Sequence, residues 1–235
     1  MKVLRRISAL LLAGLALAGC GGAWRSDGMA TLWVTRDRGA TVLLDTRVPA
    51  GQTLLRALRS KTDVGTRYGG RFIQSIDGLD GSLAQQHDWF WFVNGYAGGS
   101  SAAEYRLHDG DVAWWDYRGW AGDAETILVV AGAFPEPFVH GFGGKRRPAA
   151  VRYAPGTKGD AQRVADRVGA EDVAPIGDPV PAADNLVELT GGPGPTEVRA
   201  RLRASGGGPG APVRFVVSGP ADDVLAGRVR REFGS

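Results

Sequence analysis

The 235 residues carry 28 Lys and Arg against 25 Asp and Glu, with 36 glycines, 13 prolines and one cysteine. A lone cysteine excludes an internal disulfide framework, and a nearly balanced charge removes the electrostatic basis for nucleic-acid binding. The glycine and proline content argues for many turns, and the length suffices for two small domains, each with its own core.

At the start of the chain, Lys2, Arg5 and Arg6 form a basic region. Residues 7–18 are an apolar run of signal-peptide length, too short for a free-standing membrane span. Leu17-Ala18-Gly19-Cys20 resembles the bacterial lipoprotein cleavage box, in which small residues precede a cysteine that is lipidated. The sequence therefore predicts a signal peptide over 1–19, lipidation at Cys20 and a short tether over 20–30. The protein is then expected on the extracytoplasmic face of the cell membrane, each buried acyl methylene contributing roughly 0.8 kcal/mol. Cleavage would remove three basic residues and leave 25 basic against 25 acidic, so no surplus favours nucleic acid.

Residues 30–34 and 41–48 alternate as two strands about a turn at Arg38-Gly39. Thr53 can cap a helix running to about Ser60, with Leu54, Leu55 and Leu58 at helical spacing. Residues 71–76 form a further strand ended by Asp77-Gly78. The stretch 87–120 then holds Trp89, Trp91, Trp114, Trp115 and Trp120, five of the seven tryptophans. Within it, residues 88–93 read as a strand ending at the tight-turn dipeptide Asn94-Gly95. A small-residue loop over 96–103 and the turn His108-Asp109-Gly110-Asp111 lead to a second strand over 112–117. Trp89 and Trp91 share one strand face and Phe90 and Phe92 the other, so this strand is buried on both sides or leaves an aromatic face for a partner. Two strands, a helix and three strands fit an α+β fold of β-grasp type.

Four stretches carry a family resemblance. They are Val48-Pro49-Ala50-Gly51-Gln52-Thr53-Leu54-Leu55, Phe72-Ile73-Gln74-Ser75-Ile76-Asp77-Gly78, Trp89-Phe90-Trp91-Phe92-Val93-Asn94-Gly95, and Tyr105-Arg106-Leu107-His108-Asp109-Gly110-Asp111-Val112-Ala113-Trp114. In this order they resemble the transcobalamin C-terminal-like domain, the DUF4430 family, and place such a domain at 31–120. The resemblance implies a soluble-ligand-binding β-grasp. In vitamin B12 carriers this small domain closes over one face of the corrin ring while a larger helical barrel holds the other. No helical barrel is readable in this sequence. Either another chain supplies that half, or the ligand differs, or the domain binds corrinoids alone and weakly.

The aromatic face gives the candidate ligand-binding residues Trp89, Trp91, Trp114, Trp115 and Tyr117, since broad rings with a polar handle suit a flat conjugated or sugar-like ligand. Asn94, Gly95 and Tyr96 join them at the strand end, where binding loops sit. The competing reading gives these rings to the core and Asn94-Gly95 to the turn. His87, His108 and His140 could ligate a metal, including the cobalt of a corrinoid, but they lack a paired spacing and read as turn histidines; no metal site is predicted.

In the second half, residues 126–130, 149–153, 173–176, 186–190 and 213–217 read as strands. Residues 157–168 read as a helix with Ala161, Val164, Ala165 and Val168 on one face, and 221–233 as a last amphipathic helix. Alternating strands and helices predict a small α/β domain over 121–235 of unknown role. The glycine-rich stretch 141–147 lacks the Gly-Lys-Ser/Thr of a phosphate loop and reads as a surface loop. Residues 191–195 and 204–212 read as Gly/Pro linkers or hairpin loops. Asp109, Asp111 and Asp116 read as exposed turn acids, and Asp160, Asp166, Glu171 and Asp172 as a solvated helix face. Neither a nucleophile elbow, a paired metal motif nor a phosphate loop occurs, so the sequence predicts no enzyme and no cofactor. The cleavage box predicts a membrane-anchored extracytoplasmic lipoprotein, and the family resemblance implies that it captures a small molecule such as cobalamin or a related corrinoid for a membrane transporter. The competing expectation is a cell-envelope module whose aromatic face docks another protein.

Overall fold

The computed structural model describes residues 28–121 and 127–226. The expected signal peptide, Cys20, most of the tether and residues 227–233 of the last helix lie outside them. Among the described residues no helix is long and apolar enough to cross a membrane.

The architecture is mixed α+β, built on two five-stranded sheets and a smaller three-stranded one. The chain enters through β1 (Met29–Arg36) and β2 (Thr41–Pro49). In β1, Ala30, Leu32 and Val34 alternate into the core, as period-2 spacing requires. The helix α1 (Leu54–Arg59) follows, with the Thr53 hydroxyl accepting the Arg56 N–H at 3.2 Å as its N-cap. Its Leu54, Leu55, Ala57 and Leu58 are all buried.

Three short strands come next: β3 (Val64–Arg67), β4 (Phe72–Ile76) and β5 (Leu79–Asp80). They form the separate antiparallel sheet β3-β4-β5, so the strand expected at 71–76 stands beside the main sheet rather than in it. Then β6 (His87–Val93), β7 (Tyr96–Ala97) and β8 (Val112–Gly119) complete the order β2-β1-β8-β6-β7. Here β1 pairs antiparallel to β2 and parallel to β8. Asn94 and Gly95, at φ 50° and 82°, make the two-residue turn between β6 and β7 that only left-handed backbone closes without splaying the strands. The core between this sheet, α1 and the small sheet holds Leu32, Leu54, Leu58, Ile76, Trp89 and Trp115.

The second sheet comprises β9 (Ala149–Tyr153), β10 (Asp172–Pro175), β11 (Asn185–Gly191), β12 (Glu197–Leu202) and β13 (Val213–Ser218). Its order is β10-β9-β11-β13-β12, parallel throughout except for the antiparallel edge strand β12. The helix α2 (Lys158–Val168) buries Ala161, Val164, Ala165 and Val168 against it and ends at Gly169 in the left-handed conformation. The short α3 (Asp222–Leu225) adds Val224 to the same core.

Two expectations are corrected here. Residues 127–130 make a single bridge, Val129 to Tyr96, rather than a strand. The stretch 141–147 is not only a surface loop: residues 143–146 are exposed, but the Gly141 carbonyl accepts the buried Asn94 side chain, and Phe142 packs against both cores. Arg146 donates to the Val168 and Gly169 carbonyls at the end of α2, and Arg147 to the Gly210 carbonyl. Residues 129–147 are therefore the clasp between the two sheets. The strand β12 was also missed, because its Val198, Ala200 and Leu202 alternate with arginines between glycine-rich flanks.

Candidate ligand-binding site

The antiparallel register of β6 and β8 sets Trp89 opposite Tyr117, Trp91 opposite Trp115 and Phe92 opposite Trp114. Alternation then sorts these rings to two faces. On one, Trp89 and Tyr117 lie 5.2 Å apart and Trp91 and Trp115 6.5 Å apart, centroid to centroid. On the other, Trp114 packs on Phe92 and, edge-on at 5.6 Å, on Trp33.

Beside β6 opens a cleft of about 470 Å³, walled by Phe72, Trp89, Phe90, Trp91, Trp115 and Trp120 and carrying Arg71, Asp88 and Arg118. This volume lies within the range of small-molecule sites, as does an aromatic lining with few polar groups. The short β7 pairs only Phe92 and Val93 of β6, which leaves the start of that strand to wall the cleft. The wall ring Trp89 and the ring of Tyr117 packed on it are pinned, the Trp89 Nε1 donating to the Leu79 carbonyl at 2.9 Å and the Tyr117 hydroxyl to the Asp80 carbonyl at 3.0 Å. Trp91 is half-buried and rests on Gly98, where an added Cβ would fall 2.0 Å from the ring. Trp115 is 1% exposed, yet its indole N–H has no hydrogen-bond partner among the described residues. A buried donor left unsatisfied costs about 1–3 kcal/mol, so it calls for an explanation.

The charges of the cleft are ordered too. Arg118 stands across from Asp88 on the paired strands, and its guanidinium lies 4.5 Å from the centroid of the Phe90 ring. Burial pushes the Asp88 carboxyl above its ordinary value, while the Trp89 N–H and the Arg67 charge pull it back.

The structure brings only part of the expected set together. Trp89, Trp91 and Trp115 line the cleft; Tyr117 backs it at 9% exposure, packed on Trp89. Trp114 does not reach it, being fully buried with its Nε1 donating to the Thr35 hydroxyl at 2.7 Å. Asn94 is likewise fully buried, donating to Asp111 and the Gly141 carbonyl and accepting from the Val112 N–H. The Gly95 carbonyl accepts the Val130 N–H, and Tyr96 is buried in the second core with its hydroxyl donating to the Ala211 carbonyl. Asn94, Gly95 and Tyr96 are thus parts of the clasp. The sequence reading missed Phe72, Asp88, Phe90, Arg118 and Trp120 as cleft residues. Trp120 lay inside the aromatic stretch, and Arg118 shares the alternation of β8; Arg71 and Phe72 join only through tertiary packing of the small sheet.

Asp111 and Asp116 are not the exposed turn acids expected, for both are fully buried. Asp111 accepts from Asn94, the His108 N–H and the Tyr105 hydroxyl. Asp116 accepts from the Thr35 hydroxyl at 2.5 Å, the Gly39 N–H and the Arg38 N–H, tying the β1–β2 turn to β8. Asp172 is no free helix-face acid either, since it takes two hydrogen bonds from the buried Arg152. His87 packs on Tyr117, His108 contacts Asp111 and His140 is paired with the buried Glu136 at 2.5 Å. Among the described residues no group of three or more His, Cys, Asp and Glu is arranged to hold a metal ion.

Residues 51–119, from just after β2 to the end of β8, match the family described as a domain of unknown function, DUF4430. No curated protein matches the chain. Among solved structures, a candidate metal-binding protein from Ruminococcus gnavus ATCC 29149 is similar over 39% of this chain and 97% of its own, at 20% identity and a TM-score of 0.34. Haptocorrin in complex with Cbi is similar over 43% of this chain and 28% of its own, at 14% identity and a TM-score of 0.32.

Proposed function

We propose that the protein is a membrane-anchored extracytoplasmic binding lipoprotein that captures a small planar molecule in the cleft beside β6. The observation that carries this reading is a cleft of about 470 Å³ walled by aromatic rings, among them Trp115, whose buried indole N–H nothing in the described protein satisfies. Rings offer stacking area to a conjugated ligand, and the orphaned donor is open to an acceptor atom of that ligand. The residues 51–119 match and the pairing of β1 with both β2 and β8 support a β-grasp arrangement of the first half.

Among ligands of this shape, cobalamin or a related corrinoid is the class we favour. A corrin ring is larger than the cleft, so one edge or face would be seated here and the rest left to a second binding subunit or a membrane transporter. The Leu17-Ala18-Gly19-Cys20 box supports lipid anchoring, and Cys20→Ser is expected to move the protein from the membrane to the soluble fraction.

The test of capture is a tryptophan-fluorescence titration of the soluble form beginning at Gly21 with cobalamin and cobinamide, corrected for their own absorption. Saturable quenching that is lost in Trp91→Ala supports the reading. A flat titration with a folded protein favours the second reading, a protein-docking module of the cell envelope, for which the half-exposed Val42 and Leu43 on the edge strand β2 speak.

A further inference from the structure

The turn joining β3 to β4 forms one lip of the cleft. Arg71 and Phe72 line the cleft directly, and Phe72 packs edge-on against Tyr68 at 6.4 Å. Tyr68 is 80% exposed and Phe72 38%, so an aromatic pair continues the cleft outward into solvent. The backbone of this lip is unusual: Tyr68, Gly69 and Gly70 take φ of 52°, 67° and 88° in succession. Glycine adopts such angles freely, whereas a tyrosine there is held against its preference, a pattern that clusters at ligand sites. Two exposed arginines, Arg67 and Arg71, bracket the exposed ring.

Charge complementarity points to the occupant. Arg71 and Arg118 line the cleft and Arg67 stands opposite Phe72 on the paired strand, against a single cleft carboxylate, Asp88, which already accepts the Trp89 N–H at 2.8 Å. Asp88 faces Arg118 on the paired strand and feels the Arg67 charge, so one carboxylate stands against three guanidinium groups and the mouth, with exposed Arg67 and Arg71, keeps a positive surplus. We propose that this lip selects planar ligands bearing an anionic group, the ring system continuing onto Phe72 and Tyr68 and the anion held by Arg67 and Arg71. The proposal rests on the reading of the cleft as a ligand site and adds the charge of the ligand to it. Guanidinium groups suit the role because they pair with carboxylate or phosphate oxygens and stack on rings at once.

The experiment compares two flat probes of nearly the same shape, 1-naphthoate and the neutral 1-naphthamide, by titration calorimetry against the full chain. The expected result is tighter binding of 1-naphthoate by about three- to tenfold at low salt, in line with pairing to exposed guanidinium groups. That preference should fade at high ionic strength. In the double variant Arg67→Gln with Arg71→Gln the preference for 1-naphthoate over 1-naphthamide should vanish, and a preference that persists overturns the proposal; both side chains are exposed, and an unchanged thermal transition confirms the fold. Tyr68→Ala should weaken both probes alike. Equal binding of the two probes by the unaltered chain overturns the charge selection while the ligand cleft stands. No saturable binding of either probe overturns the proposal, and the cobinamide titration then decides separately whether the cleft takes a ligand at all.

Discussion

Single residues in this molecule do the work that sequence alone assigns to turns and surfaces. Asp116 is the clearest case. Burial raises its carboxyl above the ordinary value of 3.8, ahead of the opposing effects of the Thr35 hydroxyl, the Gly39 N–H, Arg118 and the Arg38 N–H. A folded state that holds a proton more tightly than the unfolded chain draws stability from it below the ordinary value and loses that stability as pH rises through the raised one. Glu136 is raised by burial in the same way, so both act in one direction. The urea midpoint of the protein should therefore decline from about pH 4 upward through this window. Asp116→Asn should flatten that decline and lower the midpoint at neutral pH, because an amide presents N–H where backbone donors need an acceptor; a cost of about 1–3 kcal/mol is expected. A second residue-scale prediction concerns Gly98. Gly98→Ala would drive a methyl into the Trp91 ring, so it should weaken ligand quenching more than it lowers the thermal midpoint.

At the scale of elements, the strands with clear alternation were legible. The pair β1 and β2, the strand β9 and the buried stripe of α2 follow from apolar spacing that local physics enforces. The aromatic hairpin was legible as well, down to the Asn94-Gly95 turn. What sequence did not show is which face of each strand meets solvent. Trp114 and Trp115 are neighbours in sequence, yet one ends in a ring cluster behind the sheet and the other beneath the cleft. Nor could it show the clasp, since Gly141 and Asn94 are 47 residues apart and their hydrogen bond depends on how the two halves dock. Asn94 reaches across that joint with one hydrogen bond, and two more, to Asp111 and from the Val112 N–H, fix its side chain in the first half. Asn94→Ala should cost on the order of 3 kcal/mol, measured by urea unfolding, while Asn94→Asp should not restore the loss because it sets a second carboxylate against Asp111.

For the whole molecule, the clasp makes one cooperative unit of two sheets. Tyr96 of β7 is buried among residues of the second core, and Phe142 touches both. All tryptophans of the described residues, from Trp33 to Trp120, lie in the first half, so their fluorescence reports that half alone while far-ultraviolet dichroism reports both. The two signals should trace a single coincident urea transition. Phe142→Ala should separate them, the second half unfolding at lower urea than the first.

Ligand entering the β6 cleft is read residue by residue by the indole N–H signals in a nitrogen-15 correlation spectrum. On addition of cobinamide, the signals of Trp91, Trp115 and Trp120 should shift saturably, with Trp115 moving downfield as its N–H gains an acceptor, while Trp33 and Trp114 behind the sheet stay in place. Shifts confined to Trp33 and Trp114, or no shift in any indole of a folded protein, would contradict it.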